Sequence, residues 1–324
     1  MRAIFQWNVG ARVLELGRRT LIMGVVNVTP DSFSDGGLYI DAGKAVVRAG
    51  QLLDDGATII DVGGESTRPG ALVAPVAGGI KDGIKEDPAR ADAAARTGPP
   101  VAEPISEEEE RRRVLPVIRD LKRRRPDAVI SVDTYKASVA RAAVDVGAEV
   151  VNDVSGFRWD PDSKMAKTLA ELKVGAVLMH TRGRPEEWRS LPPIGDPVLM
   201  VKRDLRQWAE AATLAGIKRD RLVLDPGFGF GKRFEENYPL LAHFAELQKM
   251  GFPLLAGVSR KSFIGRMLAR DGKDKDAEVG ERLYGTLAAE TALILKGVHI
   301  IRTHDVRSAV KAARVADAIV ASGG

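Results

Sequence analysis

Several short apolar runs in this chain end on residues that can do chemistry. Val129–Val132 leads into Asp133-Thr134, and Leu222–Leu224 into Asp225-Pro226-Gly227-Phe228-Gly229-Phe230-Gly231-Lys232. Glu149–Val154 carries Asn152-Asp153, and Pro253–Val258 ends in Ser259-Arg260-Lys261-Ser262. Two carboxylates and a carboxamide meeting in one pocket can read a flat nitrogen heterocycle. Asp accepts from ring N–H and amino groups, and Asn both donates and accepts. Taken singly, each Asp suits a helix cap or a turn better than a ligand site. Their joint position at strand ends reverses that preference, and a Lys and an Arg at such a mouth would hold an anion. The last run ends in Arg302-Thr303-His304-Asp305. Arg302 and His304 lie two apart, so an extended segment points both the same way. They can hold a phosphate, which barrels often place near their last two strands. An Arg–Asp surface pair beside a helix-starting His explains the same residues equally well, and both readings stay open.

Other chemistries fit poorly. The segment from Gly227 to Lys232 is Gly-rich, but only three residues separate Gly227 from Gly231. Arg233 also stands where a phosphate loop needs Ser or Thr. A dinucleotide fingerprint would lie earlier, with an acid downstream, so a Gly-rich turn with aromatic walls fits better. The chain has no Cys and four His, none at a zinc-ligand spacing, and no Gly-x-Ser-x-Gly elbow. The net charge of +5 is spread among acids. The densest basic run, Lys122–Arg125, ends a predicted helix that Glu107–Glu110 begins, as the helix dipole prefers, and reads as a solvated helix rather than a nucleic-acid surface. A mild basic excess suits anionic substrates. Arg2, Gln6, Asn8 and Arg12 interrupt any leader-like apolar core, and no run of 18 apolar residues occurs. A cytoplasmic protein without membrane contact is expected.

The elements that must position these groups alternate. Strands are expected at Leu21–Val26, Thr58–Val62, Val129–Val132, Glu149–Val154, Gly175–Met179, Leu222–Leu224, Pro253–Val258 and His299–Arg302. A helical pattern follows each: Ala42–Asp55, Glu107–Arg125, Lys136–Val146, Lys164–Leu172, Pro197–Ala215, Glu236–Lys249, Glu278–Lys296 and Val306–Ala321. Strand–helix alternation predicts a parallel sheet. Eight units predict a single-domain α/β protein, a (β/α)8 TIM barrel over residues 21–324. Residues 1–20 are expected to form a β-hairpin extension plugging the N-terminal face. Residues 71–105, rich in Ala, Gly, Pro and Asp, read as a flexible insertion in the loop after the second strand.

Five or six of these motifs occur in the order found in the dihydropteroate synthase family, which the chain resembles from about Leu21 to Val320 except for the one insertion. They are Asn27-Val28-Thr29-Pro30-Asp31-Ser32-Phe33-Ser34-Asp35-Gly36-Gly37, Gly63-Gly64-Glu65-Ser66-Thr67-Arg68-Pro69-Gly70, Asp133-Thr134, Asn152-Asp153, Asp225-Pro226-Gly227 and Ser259-Arg260-Lys261. The resemblance implies condensation of 6-hydroxymethyl-7,8-dihydropterin diphosphate with 4-aminobenzoate, giving 7,8-dihydropteroate and diphosphate in folate biosynthesis. It implies a pterin site of Asp133, Asn152, Asp225 and Lys261, walled by Met179 and Phe230. It further implies a diphosphate site of Asn27, Arg68, Arg302 and His304, with Mg2+ at Asn27. A 4-aminobenzoate site of Phe33, Thr67, Pro69 and Ser262 follows, as do catalytic contributions from Asp133, Asp225, Lys261, Asp35 and Arg68, and a homodimer through the late helices. Two rivals share the pterin contacts. A pterin-binding methyltransferase barrel serving a corrinoid protein should lack the Ser-Arg-Lys run and the Arg-x-His pair, both present here. A non-catalytic pterin-binding paralogue would not need the intact phosphate and loop residues.

Overall fold

The computed structural model describes residues 2–28, 38–67, 71–76, 104–269 and 276–323. The chain opens with an antiparallel hairpin, β1 (Phe5–Val9) and β2 (Arg12–Leu16), paired from Phe5↔Leu16 to Val9↔Arg12. Eight parallel strands follow: β3 (Leu21–Asn27), β4 (Ile59–Gly63), β5 (Val129–Asp133), β6 (Val150–Asp153), β7 (Gly175–Met179), β8 (Leu222–Asp225), β9 (Leu255–Ala256) and β10 (Ile300–Thr303). Their order is β8-β7-β6-β5-β4-β3-β10-β9. A parallel bridge between Leu224 and Leu254 joins the two ends of the sheet, with Leu224 N–H donating to the Pro253 carbonyl at 3.0 Å. The sheet is thus a nearly closed barrel. Helices α1 (Leu38–Asp54), α2 (Glu107–Arg124), α3 (Ala137–Asp145), α4 (Met165–Leu172), α5 (Pro197–Leu214), α6 (Asn237–Ala242), α7 (Ser262–Met267), α8 (Leu283–Leu295) and α9 (Val306–Ser322) intervene.

Side chains alternate across a strand, so the register decides which residues face the barrel axis. The pairings Met23↔Ile59↔Val129 and Ser131↔Val150↔Gly175 link one parity around the sheet, and Val177↔Val223 with Ile300↔Leu255 continue it. The lower positions of this inward set are apolar: Met23, Ile59, Val129, Val150, Val177, Val223, Leu255 and Ile300 form one buried cluster. The hairpin supplies Trp7, Val9 and Leu16 to the same cluster and seals the N-terminal end of the barrel. The Trp7 indole N–H donates to the Arg221 carbonyl at 2.8 Å. Gly175 makes room for this plug, since a Cβ there would stand 2.6 Å from Val9 and 3.0 Å from Trp7. The outward parity (Ile22, Ile60, Ile130, Val151, Ala176, Leu222, Ile301) packs against the helices in the main core.

Several elements differ from expectation. β9 is short, because only Leu255 and Ala256 pair with β10, while Leu254 turns to β8. The pattern expected over Glu236–Lys249 breaks at His243, giving α6 and a 3-10 turn over Phe244–Met250. A short helix, α7, follows β9 directly, and the later pattern divides into a 3-10 turn, Val279–Arg282, and α8. Helix α2 starts at Ser106, whose hydroxyl accepts from Glu109 N–H at 3.1 Å. Its first turn is acidic as expected, but Glu110 is buried rather than solvated. Of the expected insertion, residues 71–76, 104 and 105 are described, and 77–103 lie outside the described residues.

Candidate functional site

Above the apolar floor the inward parity turns polar. Asp61, Ser131, Asp133, Asn152, Asp225 and Arg302 occupy inward positions above that floor, Asp61 and Ser131 at mid-strand and the others at or next to the C-terminal ends of their strands, with pairings Asp61↔Ser131 and Asp133↔Asn152. Arg302 crosses the mouth. Its Nε donates to Asp61 Oδ2 at 2.7 Å and its Nη2 to Asp133 Oδ2 at 2.6 Å. Asn152 Nδ2 donates to the same Asp61 oxygen at 2.9 Å, which turns the amide oxygen of Asn152 away from Asp61. Asp61 Oδ1 and Ser131 Oγ are buried without a hydrogen-bond partner among the described residues. Burial pushes the Asp133 carboxyl up to about 7, against the pull of the Arg302 guanidinium and with the repulsion of Asp61. Arg302 is held well above its ordinary value by Asp61 and Asp133 despite its burial.

On the opposite wall stand Asp225 and Lys261. Asp225 is buried, and its Oδ1 accepts from Gly227 N–H at 2.7 Å. Burial raises its carboxyl, while Lys261 opposes the rise. Lys261 caps α7, donates to the Phe228 carbonyl and lies 4.5 Å above the Phe230 ring. Burial lowers its ammonium to about 7, against the attraction of Asp225. The Gly-rich turn is forced by sterics: Gly227 has φ 64°, and a Cβ on it would overlap the His180 carbonyl. Lys232 sits beneath this turn and donates to the Gly227 carbonyl at 2.7 Å and the Phe230 carbonyl at 3.2 Å. It also meets His180 Nδ1 at 3.0 Å, and His180 stacks on Trp208. Burial lowers Lys232 to about 7 and His180 to about 3, so His180 is neutral there. Met179, Tyr135, Val154, Trp159 and Val73 form an apolar cluster at the mouth, with Phe230 and Trp188 against it.

The structure therefore gathers Asp133, Asn152, Asp225, Lys261, Met179, Phe230 and Arg302 around one mouth. Asn27 ends β3 with its amide oxygen close to Gly63, across which lies Asp133. His304 follows β10, and both its N–H and its Nδ1 lie within 3.2 Å of Ser259 Oγ. Ser262 is exposed at the first position of α7, and Thr67 is half-buried after β4. Phe33, Asp35, Arg68 and Pro69 lie outside the described residues. Asp61 was not singled out in the sequence, although a charged residue inside the apolar run from Thr58 to Val62 was the available signal. Tyr135 and Lys136 were likewise missed. Lys136 Nζ bridges Glu65 at 2.6 Å and Glu110 at 2.7 Å, and Tyr135 Oη donates to Glu65 at 3.2 Å.

The pterin binding enzyme family model matches residues 23–80 and 91–304. The dihydropteroate synthase of Synechocystis is 38% identical over 311 residues, 96% of this chain and 94% of that protein. The Escherichia coli K12 dihydropteroate synthase is 40% identical over 301 residues, covering 93% and 92%. A Xanthomonas albilineans dihydropteroate synthase solved with 4-aminobenzoic acid superposes with TM-score 0.80 at 37% identity, covering 98% of this chain and 99% of that one. The same protein solved with 7,8-dihydropteroate gives TM-score 0.76 at 35% identity, covering 98% and 99%.

Proposed function

This chain belongs to the dihydropteroate synthase family, and from that premise we propose how its own residues join 6-hydroxymethyl-7,8-dihydropterin diphosphate to 4-aminobenzoate. The observation that carries the reading is the polar ring Asp61–Arg302–Asp133 with Asn152, Asp225 and Lys261, set over a sealed apolar floor. The pterin lies flat in this mouth between Met179 and Phe230. Asp133 and Asp225 accept from its ring N–H and amino groups, Asn152 presents its free amide oxygen, and Lys261 donates to the ring carbonyl. The diphosphate faces Asn27, Arg68, Arg302 and His304. The aminobenzoate meets Phe33, Thr67, Pro69 and Ser262, with its carboxylate near the exposed start of α7. Asp35 and Arg68 complete the closed site.

The bond from the exocyclic methylene carbon to the diphosphate oxygen breaks, and the electron pair leaves with diphosphate. The carbon becomes a cation conjugated with the ring, and the Asp133 and Asp225 carboxylates stabilise it. The arylamine nitrogen then bonds to this carbon and releases a proton. No side-chain nucleophile takes part. Among the described residues no group of three or more His, Asp or Glu could cage a cation. Mg2+ takes few protein ligands and keeps water and phosphate oxygens, so the single amide oxygen of Asn27 beside diphosphate fits it. When bound, it neutralises the leaving group.

Among the described residues no helix is long and apolar enough to cross a membrane; the reading places the enzyme in the cytoplasm, with its folate-pathway substrates. It also pairs two copies through the late helices, where Tyr284, Leu295, Val315 and Ile319 are exposed. Light scattering measures that association. The function is tested by diphosphate release, with and without 4-aminobenzoate, and by detection of dihydropteroate. Release that does not depend on aminobenzoate, with no pteroate formed, rules the reading out.

A further inference from the structure

The first turn of the helix after β5 hides a cation that the reaction does not use. Lys136 is 1% exposed. Its Nζ donates to three acceptors drawn from two distant segments: Glu65 Oε2 at 2.6 Å, Glu110 Oε2 at 2.7 Å and the Ile105 carbonyl at 3.0 Å. Glu65 stands where the second loop leaves β4, and Ile105 and Glu110 where the chain returns into α2. The preceding residue makes a second tie. Tyr135 Oη donates to Glu65 Oε1 and accepts from Ala74 N–H at 3.0 Å. Arg184 holds the same place from the far wall, donating to the Val73 and Ala74 carbonyls at 3.3 and 3.0 Å, and Val73 is buried against Met179 and Trp159.

We propose that Lys136 and Tyr135 are positioning residues, which fasten the second loop to the barrel at Glu65, Ala74 and Ile105 and thereby set Thr67 for the second substrate, whatever lies between residues 76 and 104. The proposal rests on the reading that Thr67 serves 4-aminobenzoate. Three physical points support it. A buried ammonium with two carboxylates and a carbonyl has all its donors filled, so it holds one geometry. Removing it leaves two buried carboxylates without their cation, which is strongly unfavourable. Finally, the family model passes over residues 81–90, so part of the span from Glu65 to Ile105 has no match in the family pattern, and a longer connection makes its ends harder to keep together.

The test uses the full chain with Tyr135→Phe, Lys136→Met and a variant in which four glycines replace residues 77–103. Tyr135→Phe removes a hydroxyl that makes two hydrogen bonds and should raise KM for 4-aminobenzoate about three- to tenfold, with the Kd of 6-hydroxymethylpterin, which lacks the diphosphate that Arg68 faces, unchanged. Lys136→Met should raise that KM further. The glycine replacement alone should leave both constants unchanged. Added to Lys136→Met, it should recover about fourfold of the loss, because it shortens the chain between Glu65 and Ile105 from about 40 to about 17 residues. If Lys136→Met does not fold, Tyr135→Phe and the combination of Tyr135→Phe with the glycine replacement carry the same comparison. An unchanged aminobenzoate KM in Tyr135→Phe overturns the proposal, as does an equal loss for 6-hydroxymethylpterin or a recovery absent from the combined variants. A wild-type chain that forms no dihydropteroate refutes the functional reading instead, and leaves the fastening to be judged by hydrogen exchange at Ala74, which should speed up in Tyr135→Phe.

Discussion

Asp61 is the residue on which the mouth turns, and replacing it separates geometry from charge. One of its oxygens accepts from both Arg302 Nε (2.7 Å) and Asn152 Nδ2 (2.9 Å). Asp61→Ala takes the acceptor from two buried donors. Each unsatisfied donor costs about 1–3 kcal/mol, so the fold should lose about 2–6 kcal/mol. Asn152 also loses the partner that fixes which end of its amide faces the pterin. Loss of that oriented contact should weaken a pterin ligand about 10- to 100-fold, or about 1.4–2.8 kcal/mol. Asp61→Asn keeps a neutral acceptor for both donors and removes only the charge. It should cost about tenfold or less in affinity. Because the Asp61 carboxylate is one of the groups that raise Asp133, the Asn variant should also move the Asp133 ionisation below about 7. The assay is calorimetric titration of 6-hydroxymethylpterin between pH 5 and 9, with melting curves at each pH. If Asp61→Ala melts cooperatively and binds pterin within twofold of wild type, Asp61 does not orient Asn152 and the account of the ring is wrong.

Four further outcomes follow from the same geometry. Lys261→Ala should weaken pterin binding by about 1.5–3 kcal/mol, the worth of one charge-assisted donor, and unchanged calorimetric affinity would remove it from the site. Arg302→Ala should weaken free hydroxymethylpterin as well as its diphosphate, since it strips the cation from Asp61 and Asp133; a loss confined to the diphosphate would show that Arg302 reads phosphate alone. Pterin affinity should peak near pH 7, because Asp133 gains its charge, and Lys261 loses its own, as pH rises through about 7; a flat profile from pH 6 to 8 would contradict this. Asp153 is buried with one oxygen lacking a partner among the described residues, and its carboxyl is raised to about 7. The folded state then binds a proton that the unfolded state has released between about pH 4 and 7, so wild type loses stability across that window as pH rises. Asp153→Asn should therefore gain stability over wild type across it and hold a constant gain above pH 7, as read by denaturant melts.

Much of this was legible because parallel strands are buried on both faces and read as apolar runs. A polar residue at the end of such a run is out of place, and Asp133, Asp225, Lys261 and Arg302 declared themselves that way, while Asn152, inside its run, stood out through its family motif. Asp61 did not, because it lies within its run, and only the register with Ser131 shows that it faces the axis. Lys136 was hidden for a different reason. A Lys beside a helix start looks solvated, and nothing in its spacing announces Glu65, 71 positions earlier, or Ile105, 31 positions earlier. The break at His243 and the two-residue β9 are tertiary outcomes that a helical period or an apolar run cannot register.

The hairpin under the barrel has a kinetic meaning. Trp7, Val9 and Leu16 stopper the floor, so the polar ring is closed off on the hairpin side and is reached from the mouth. A vessel open at one end imposes a queue. Whatever lies deepest must enter first and depart last; with the substrates placed as proposed above, the pterin should arrive before the aminobenzoate lies across it. Diphosphate can then escape from the rim before the joined product backs out. Aminobenzoate arriving early would obstruct its own partner, and excess of the second substrate should slow turnover rather than merely saturate it.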